Sequence, residues 1–192
     1  TGKNLFVDGD FECDRIDYDT ALAVEKYGVL LDSYASRISK PVIWAETGIR
    51  GPNIYGSPYK GCVYYEENQE LIDDTSGLWI KKMIWAHVCP SAPNMLYWWT
   101  NNIAKKSLWH YFKAFQSFMS GIAISNGSYQ DACAITSSQV MRAWGQKDLI
   151  NNRAHLWIDN RPYTWKNLVN SGSISAISGT VTIAGLKDGA YE

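Results

Sequence analysis

A single carboxylate stands at the end of an otherwise apolar run, Lys40-Pro41-Val42-Ile43-Trp44-Ala45-Glu46-Thr47-Gly48. Proline is tolerated at the first position of a strand, and Val-Ile-Trp-Ala is the near-continuous apolar pattern of a strand covered on both faces. A carboxylate where such a strand meets its loop suits nucleophilic or acid/base chemistry at the carboxyl end of a sheet. A Glu that faces water or pairs with an Arg fits the same pattern. Other residues in the chain have types that do chemistry. Residues 8 to 19 hold six carboxylates, and Asp8, Asp10 and Glu12 alternate as in a cation loop. Cys13 occupies the place where an EF-hand has its turn glycine, so a solvated acidic loop with a helix cap is expected there, and a calcium-stabilised interaction segment is the alternative. His87 lies within an apolar helical pattern, the usual setting of a hydrogen-bonded core histidine. Cys13, Cys62, Cys89 and Cys133 are widely spaced without a Cys-x-x-Cys, which leaves two disulfides or four thiols and gives no support to a zinc site. No metal and no cofactor are expected.

The chain has 192 residues, eighteen Lys and Arg against nineteen Asp and Glu, and a net charge of −1, which gives no electrostatic case for nucleic acid or an anionic membrane. No run approaches the length of a membrane span. Nine Trp and twelve Tyr are unusual for this length. Such rings pack an aromatic-rich core, or they carry sugars, whose C–H faces lie on rings while their hydroxyls take hydrogen bonds. The start at Thr1-Gly2-Lys3-Asn4, without Met or a signal peptide, suggests a processed or excised chain. Asn126-Gly127-Ser128 is a glycosylation sequon, relevant only to a secreted eukaryotic protein.

The elements that must position Glu46 follow from periodicity. Val24, Tyr27, Leu31, Tyr34 and Ile38 form one helical stripe, capped by Asp17 or Asp19, that leads into the strand at 41–45. A long Gly-, Pro- and Tyr-rich loop over 49–76 then leaves the tip, with Tyr55 and Tyr59 placed to wall a pocket. Thr75 or Ser76 caps a second helix with Trp79, Met83 and Ala86 on its apolar face, flanked by Ile80, Ile84 and His87. A second apolar strand, Met95-Leu96-Tyr97-Trp98-Trp99, ends at Thr100-Asn101-Asn102, and its adjacent tryptophans must face opposite sides. A third helix is expected from about Lys105 to Ser120, burying Leu108, Tyr111, Phe112, Phe115, Phe118 and Met119, with Gly121 as its stop. After Gly121 short strands are expected at 132–135, 140–144, 155–158 and 180–183, separated by turns such as Asn160-Arg161-Pro162 and Lys187-Asp188-Gly189. A domain boundary near 122–130 follows, and residues 184–192 head into a further strand that the 192 residues do not finish.

The motifs Lys40 to Gly48, Gly77-Leu78-Trp79 through Trp85-Ala86, Tyr97-Trp98-Trp99, His110-Tyr111 and Phe118-Met119-Ser120-Gly121 together resemble the end of the catalytic barrel of retaining glycoside hydrolases of the large (β/α)8 clan. Leu156-Trp157-Ile158-Asp159-Asn160, Thr164-Trp165 and Gly179 to Ile183 through Tyr191 look like the small β-sandwich that follows the barrel in several such enzymes. The resemblance implies an α/β plus β fold. It implies that residues 1–121 are the last strands and helices of a partial (β/α)8 barrel and that 122–192 are an antiparallel, unfinished β-sandwich-like segment. It implies that Glu46 is the nucleophile, that Trp98, Trp99 and Trp44 form a sugar platform, and that Tyr55 and Asn101 contact sugar hydroxyls. The substrate class it implies is β-linked polysaccharide or oligosaccharide, and the location it implies is secreted or cell-surface.

The resemblance also implies a gap. The clan's acid/base comes from an Asn-Glu pair at another strand end, and Glu66-Glu67-Asn68 is in the wrong order and place for it. Two strands cannot close a barrel of eight. The acid/base is therefore expected outside this chain, with the rest of the barrel supplied by a longer protein or by another copy of the chain. The alternative is a non-catalytic carbohydrate-binding or surface-structural protein, since Asn4 to Glu12 faintly resembles the opening of carbohydrate-binding sandwiches.

Overall fold

The computed structural model describes residues 73–88, 100–126, 128–189 and 191. The first complete helix, α1 (Leu78–Ala86), begins where a short polar relay meets the chain. Asp74 Oδ1 accepts from the Ser76 N–H at 2.9 Å and from its hydroxyl at 2.5 Å, and Ser76 Oγ accepts from the Leu78 N–H at 3.1 Å. The N-cap is Gly77 and not Thr75 or Ser76 as expected, although Ser76, one residue earlier, still satisfies one of the amides that a helix start leaves open. Between them Gly77 has φ 62, and a Cβ there would collide with the Leu108 side chain. The apolar stripe is where periodicity puts it: Trp79, Met83 and Ala86 are buried, as are Ile80 and Ile84.

Residues 100–102, expected to end a strand, instead start a short helix, α2 (Thr100–Lys105). The third helix does not begin at Lys105. Ser107 takes a left-handed conformation at φ 56, Leu108 N–H bonds back to Ile103 O at 2.9 Å, and α3 runs only over His110–Met119. The break lets Leu108 drop into the core beside Gly77, where it is 2 % exposed. Tyr111 OH donates to Ser76 O at 2.5 Å and ties α3 to the start of α1. Farther along, Trp85 meets Phe115 edge-on at 5.5 Å and Phe118 at 5.1 Å. Gly121, at φ 84, closes the helical segment as expected.

The strands that follow form two small antiparallel sheets, and no barrel closes among the described residues. One sheet has the order β1 (Gln130–Asp131), β3 (Met141–Asp148), β4 (Arg153–Asn160); the other pairs β2 (Ile135–Thr136) with β5 (Val181–Thr182). The run 132–135, expected as one strand, is split by Cys133 at φ 47, so its two sides serve different sheets. The strands expected at 140–144 and 155–158 are parts of one long hairpin, registered from Met141↔Asn160 to Asp148↔Arg153. Gly145 carries the ladder through: a Cβ there would collide with the carbonyl oxygen of His155. Asp148 shapes the turn by accepting from the Ile150 and Asn151 amides and from Asn151 Nδ2.

Thr164-Trp165, expected within the sandwich, instead opens a helix, α4 (Trp165–Ser171). Thr164 Oγ1 accepts from Asn167 N–H at 3.2 Å, and Gly172 at φ 69 ends the helix. Trp165 is 1 % exposed and joins Leu78, Trp79, Ile80, Met83, Ile84, Ile103 and Leu108 in one core cluster, against which Trp144 and Trp157 pack. Helices before Gly121 and the hairpin after it therefore share a core. Burying each large apolar side chain there contributes about 1.5–3 kcal/mol.

Candidate functional site

Glu46, Trp44, Tyr55, Trp98 and Trp99 lie outside the described residues, as do the acidic segment 8–19 and Cys13, Cys62 and Cys89. Asn101 is in α2, one residue into a helix and not at a strand tip. Cys133 is an exposed free thiol. Among the described residues no group of three or more His, Cys, Asp or Glu is arranged to hold a metal ion. Nor is any described helix long and apolar enough to cross a membrane.

Three polar clusters remain. The most buried joins α1 to the hairpin: Lys82 Nζ lies 3.1 Å from Asp159 Oδ1, while Arg142 Nε and Nη2 donate to Asp159 Oδ2 at 3.0 and 2.5 Å. Lys82 also donates to the Asn160 carbonyl at 3.2 Å, and the Arg142 guanidinium sits 4.9 Å above Trp144, which stacks on Trp157 at 5.2 Å. Both oxygens of Asp159 are held by cations in a site closed to solvent. It cannot reach a substrate, and its chemistry is that of a clamp.

The second cluster surrounds Asp74 at the start of α1. Lys106 Nζ donates to the Asp74 carbonyl at 2.5 Å, and burial lowers the Lys106 pKa while Asp74 and Asp73 oppose that shift. Tyr111, beside it, has its pKa raised by burial and then by Tyr163 and Asp74. Asp74 is 2 % exposed, and its Oδ2 meets no hydrogen-bond donor among the described residues. The cluster orders the chain where it enters α1.

The third is an open cleft of about 1200 Å³ between the end of α3, the first half of β4 and the segment after β5. His155 stands in it with Tyr129 at 5.2 Å and Phe118 at 6.2 Å between ring centres. Its Nε2 is 3.1 Å from Gln146 Oε1. An amide oxygen accepts, so the ring carries its proton on Nε2. Burial lowers the His155 pKa, which favours a neutral imidazole. No carboxylate bonds the ring among the described residues, so His155 is a packed, neutral wall of the cleft. His87 is likewise structural, as expected from its place in the helical pattern. Its Nδ1 lies 2.6 Å from Met83 O, and burial lowers its pKa to about 4 against that hydrogen bond.

Sequence reasoning did not single out this cleft. Tyr129 and His155 are far apart in the chain, and only the hairpin register and the position of α3 bring them together. Comparison with protein-family models, with curated proteins and with solved structures finds no match.

Proposed function

We propose that the chain is part of a retaining β-glycosidase that acts outside the cell on β-linked polysaccharide or oligosaccharide. The observation that carries this is in the sequence: an apolar run, Lys40 to Gly48, with the single carboxylate Glu46 near its end, and a second apolar run that ends in Trp98-Trp99. Glu46 attacks the anomeric carbon and forms a glycosyl ester as the leaving oxygen departs. Water then cleaves the ester. The proton to the leaving oxygen and the deprotonation of that water require a second carboxylate about 5 Å away. In this proposal it comes from outside the 192 residues. Trp44, Trp98 and Trp99 carry the sugar faces, and Tyr55 and Asn101 take hydroxyls.

The shared core supports a segment packed onto the helices and not a loosely tethered one: Trp165 after the hairpin and Leu108 before α3 belong to one buried cluster with α1. The test is Glu46→Ala in the natural full-length protein with an aryl β-glycoside. Hydrolysis should stop, and azide should restore aryl release by forming the α-glycosyl azide. An active Glu46→Ala protein would overturn the assignment. Oligosaccharide binding without any turnover in the wild-type protein would favour the non-catalytic carbohydrate-binding alternative, to which the Asn4 to Glu12 resemblance points.

A further inference from the structure

Among the described residues the hairpin leaves one strand edge without a strand partner, and the cleft lies along it. In the three-stranded sheet β4 is an outer strand, paired only with β3 among the described residues. Which of its backbone groups point outward follows from one hydrogen bond. Ala132 N–H donates to Gly145 O at 3.0 Å, so Gly145 directs its backbone groups toward β1 and not toward β4. Gly145 stands opposite Leu156, which makes that pair a non-hydrogen-bonded one. By alternation, Ala154, Leu156 and Ile158 turn their N–H and C=O groups away from β3, while Arg153, His155 and Trp157 bond to it.

The cleft takes in Arg153, Ala154, His155 and Leu156 in succession. Successive strand side chains point to opposite faces, so a cleft that touches all four is seen from the edge and not from either face. Its opposite wall is Val181, Ile183 and Leu186, and Phe118 and Ile122 border it at the end of α3. The outward backbone groups of Ala154 and Leu156 repeat about every 7 Å, the two-residue spacing of a strand, which another extended polypeptide matches. Buried strand edges are satisfied by such pairing, and apolar walls accept alternate side chains of the incoming segment. Arg153 and Lys187 are both exposed on the cleft, against the single carboxylate of Asp188.

We propose that the outer edge of β4 is a docking site for an extended segment of a partner polypeptide, apolar and acidic at alternating positions, which adds as a strand beside Ala154 and Leu156. The backbone ladder supplies affinity. Ile183, Leu186 and Phe118 select apolar side chains, and Arg153 with Lys187 selects acidic ones. The site is independent of Glu46 and of the glycosidase proposal.

Amide hydrogen exchange on the full-length protein tests this, with a capped seven-residue peptide of alternating valine and glutamate as probe. Exchange at Ala154 and Leu156 should slow by about tenfold or more with peptide, while His155 and Trp157, already bonded to β3, should stay unchanged. Reversing Arg153 and Lys187 to Glu should weaken binding by about tenfold. Protection of Ala154 and Leu156 in the free full-length protein would overturn the proposal, because the protein's own chain would already cover the edge. So would unchanged exchange at millimolar peptide, equal binding by the charge-reversed protein, or slowing by an oligosaccharide but not by the peptide.

Discussion

Lys82 on α1 and Asp159 on β4 meet at 3.1 Å in a site where their side chains are only 3 % and 4 % exposed, and Arg142 holds the other oxygen of the same carboxylate. One carboxylate between two cations joins the helical segment to the hairpin. The charges are costly to bury, but removing one partner is costlier, since it strands the others away from water. Asp159→Asn should therefore destabilise the protein by about 3–5 kcal/mol in urea unfolding. An unchanged midpoint would show that the clamp is solvated.

The buried histidines make stability depend on pH. The folded pKa of His87, about 4, lies below its ordinary value, so the unfolded chain binds the proton first as pH falls. Its contribution is complete above about pH 6.5 and is lost progressively down to about pH 4, a change on the order of 3 kcal/mol. His155 shifts in the same direction and adds to the slope. In a series of urea unfolding curves, His87→Gln should flatten the fall between these limits. An unaltered slope would contradict burial as the cause.

Gly145 permits the β3–β4 ladder to close on the His155 carbonyl. Gly145→Ala has no flexible side chain to push aside there. Thermal unfolding should place its cost at the upper end of single substitutions, roughly 3 kcal/mol. Gly179→Ala meets only the Ser137 hydroxyl and the end of Met141, and should cost less.

Thr164 caps α4 through Asn167 N–H. Thr164→Ala should destabilise by about 1 kcal/mol, and Thr164→Ser or Thr164→Asp should restore most of it. Equal loss in all three variants would mean that the methyl group, and not the cap, matters.

The sequence made much of the described fold legible where periodicity was strong. The stripe through Trp79, Met83 and Ala86 needed only helical spacing, and Gly121 its stop. What escaped were breaks set by tertiary packing. Ser107 and Cys133 adopt left-handed backbones that their types do not demand, one to let Leu108 reach Gly77 and the other to pass the chain between sheets. The helix at Trp165 did carry a signal, Thr164 before it and Gly172 after it, but seven residues are too few for a periodic pattern. The cleft at His155 had no local signal. The residues proposed for chemistry, Glu46 with Trp44, Tyr55, Trp98, Trp99 and Asn101, rest on motif alone, and of that set only the backbone of Asn101 is described.

The nucleophile assignment has the most direct test. An epoxide-bearing sugar analogue incubated with the natural full-length protein should esterify Glu46, and peptide mapping by mass spectrometry should find the adduct within Lys40 to Arg50 and nowhere else. Labelling at another carboxylate, or none at saturating reagent, would contradict Glu46 as the nucleophile.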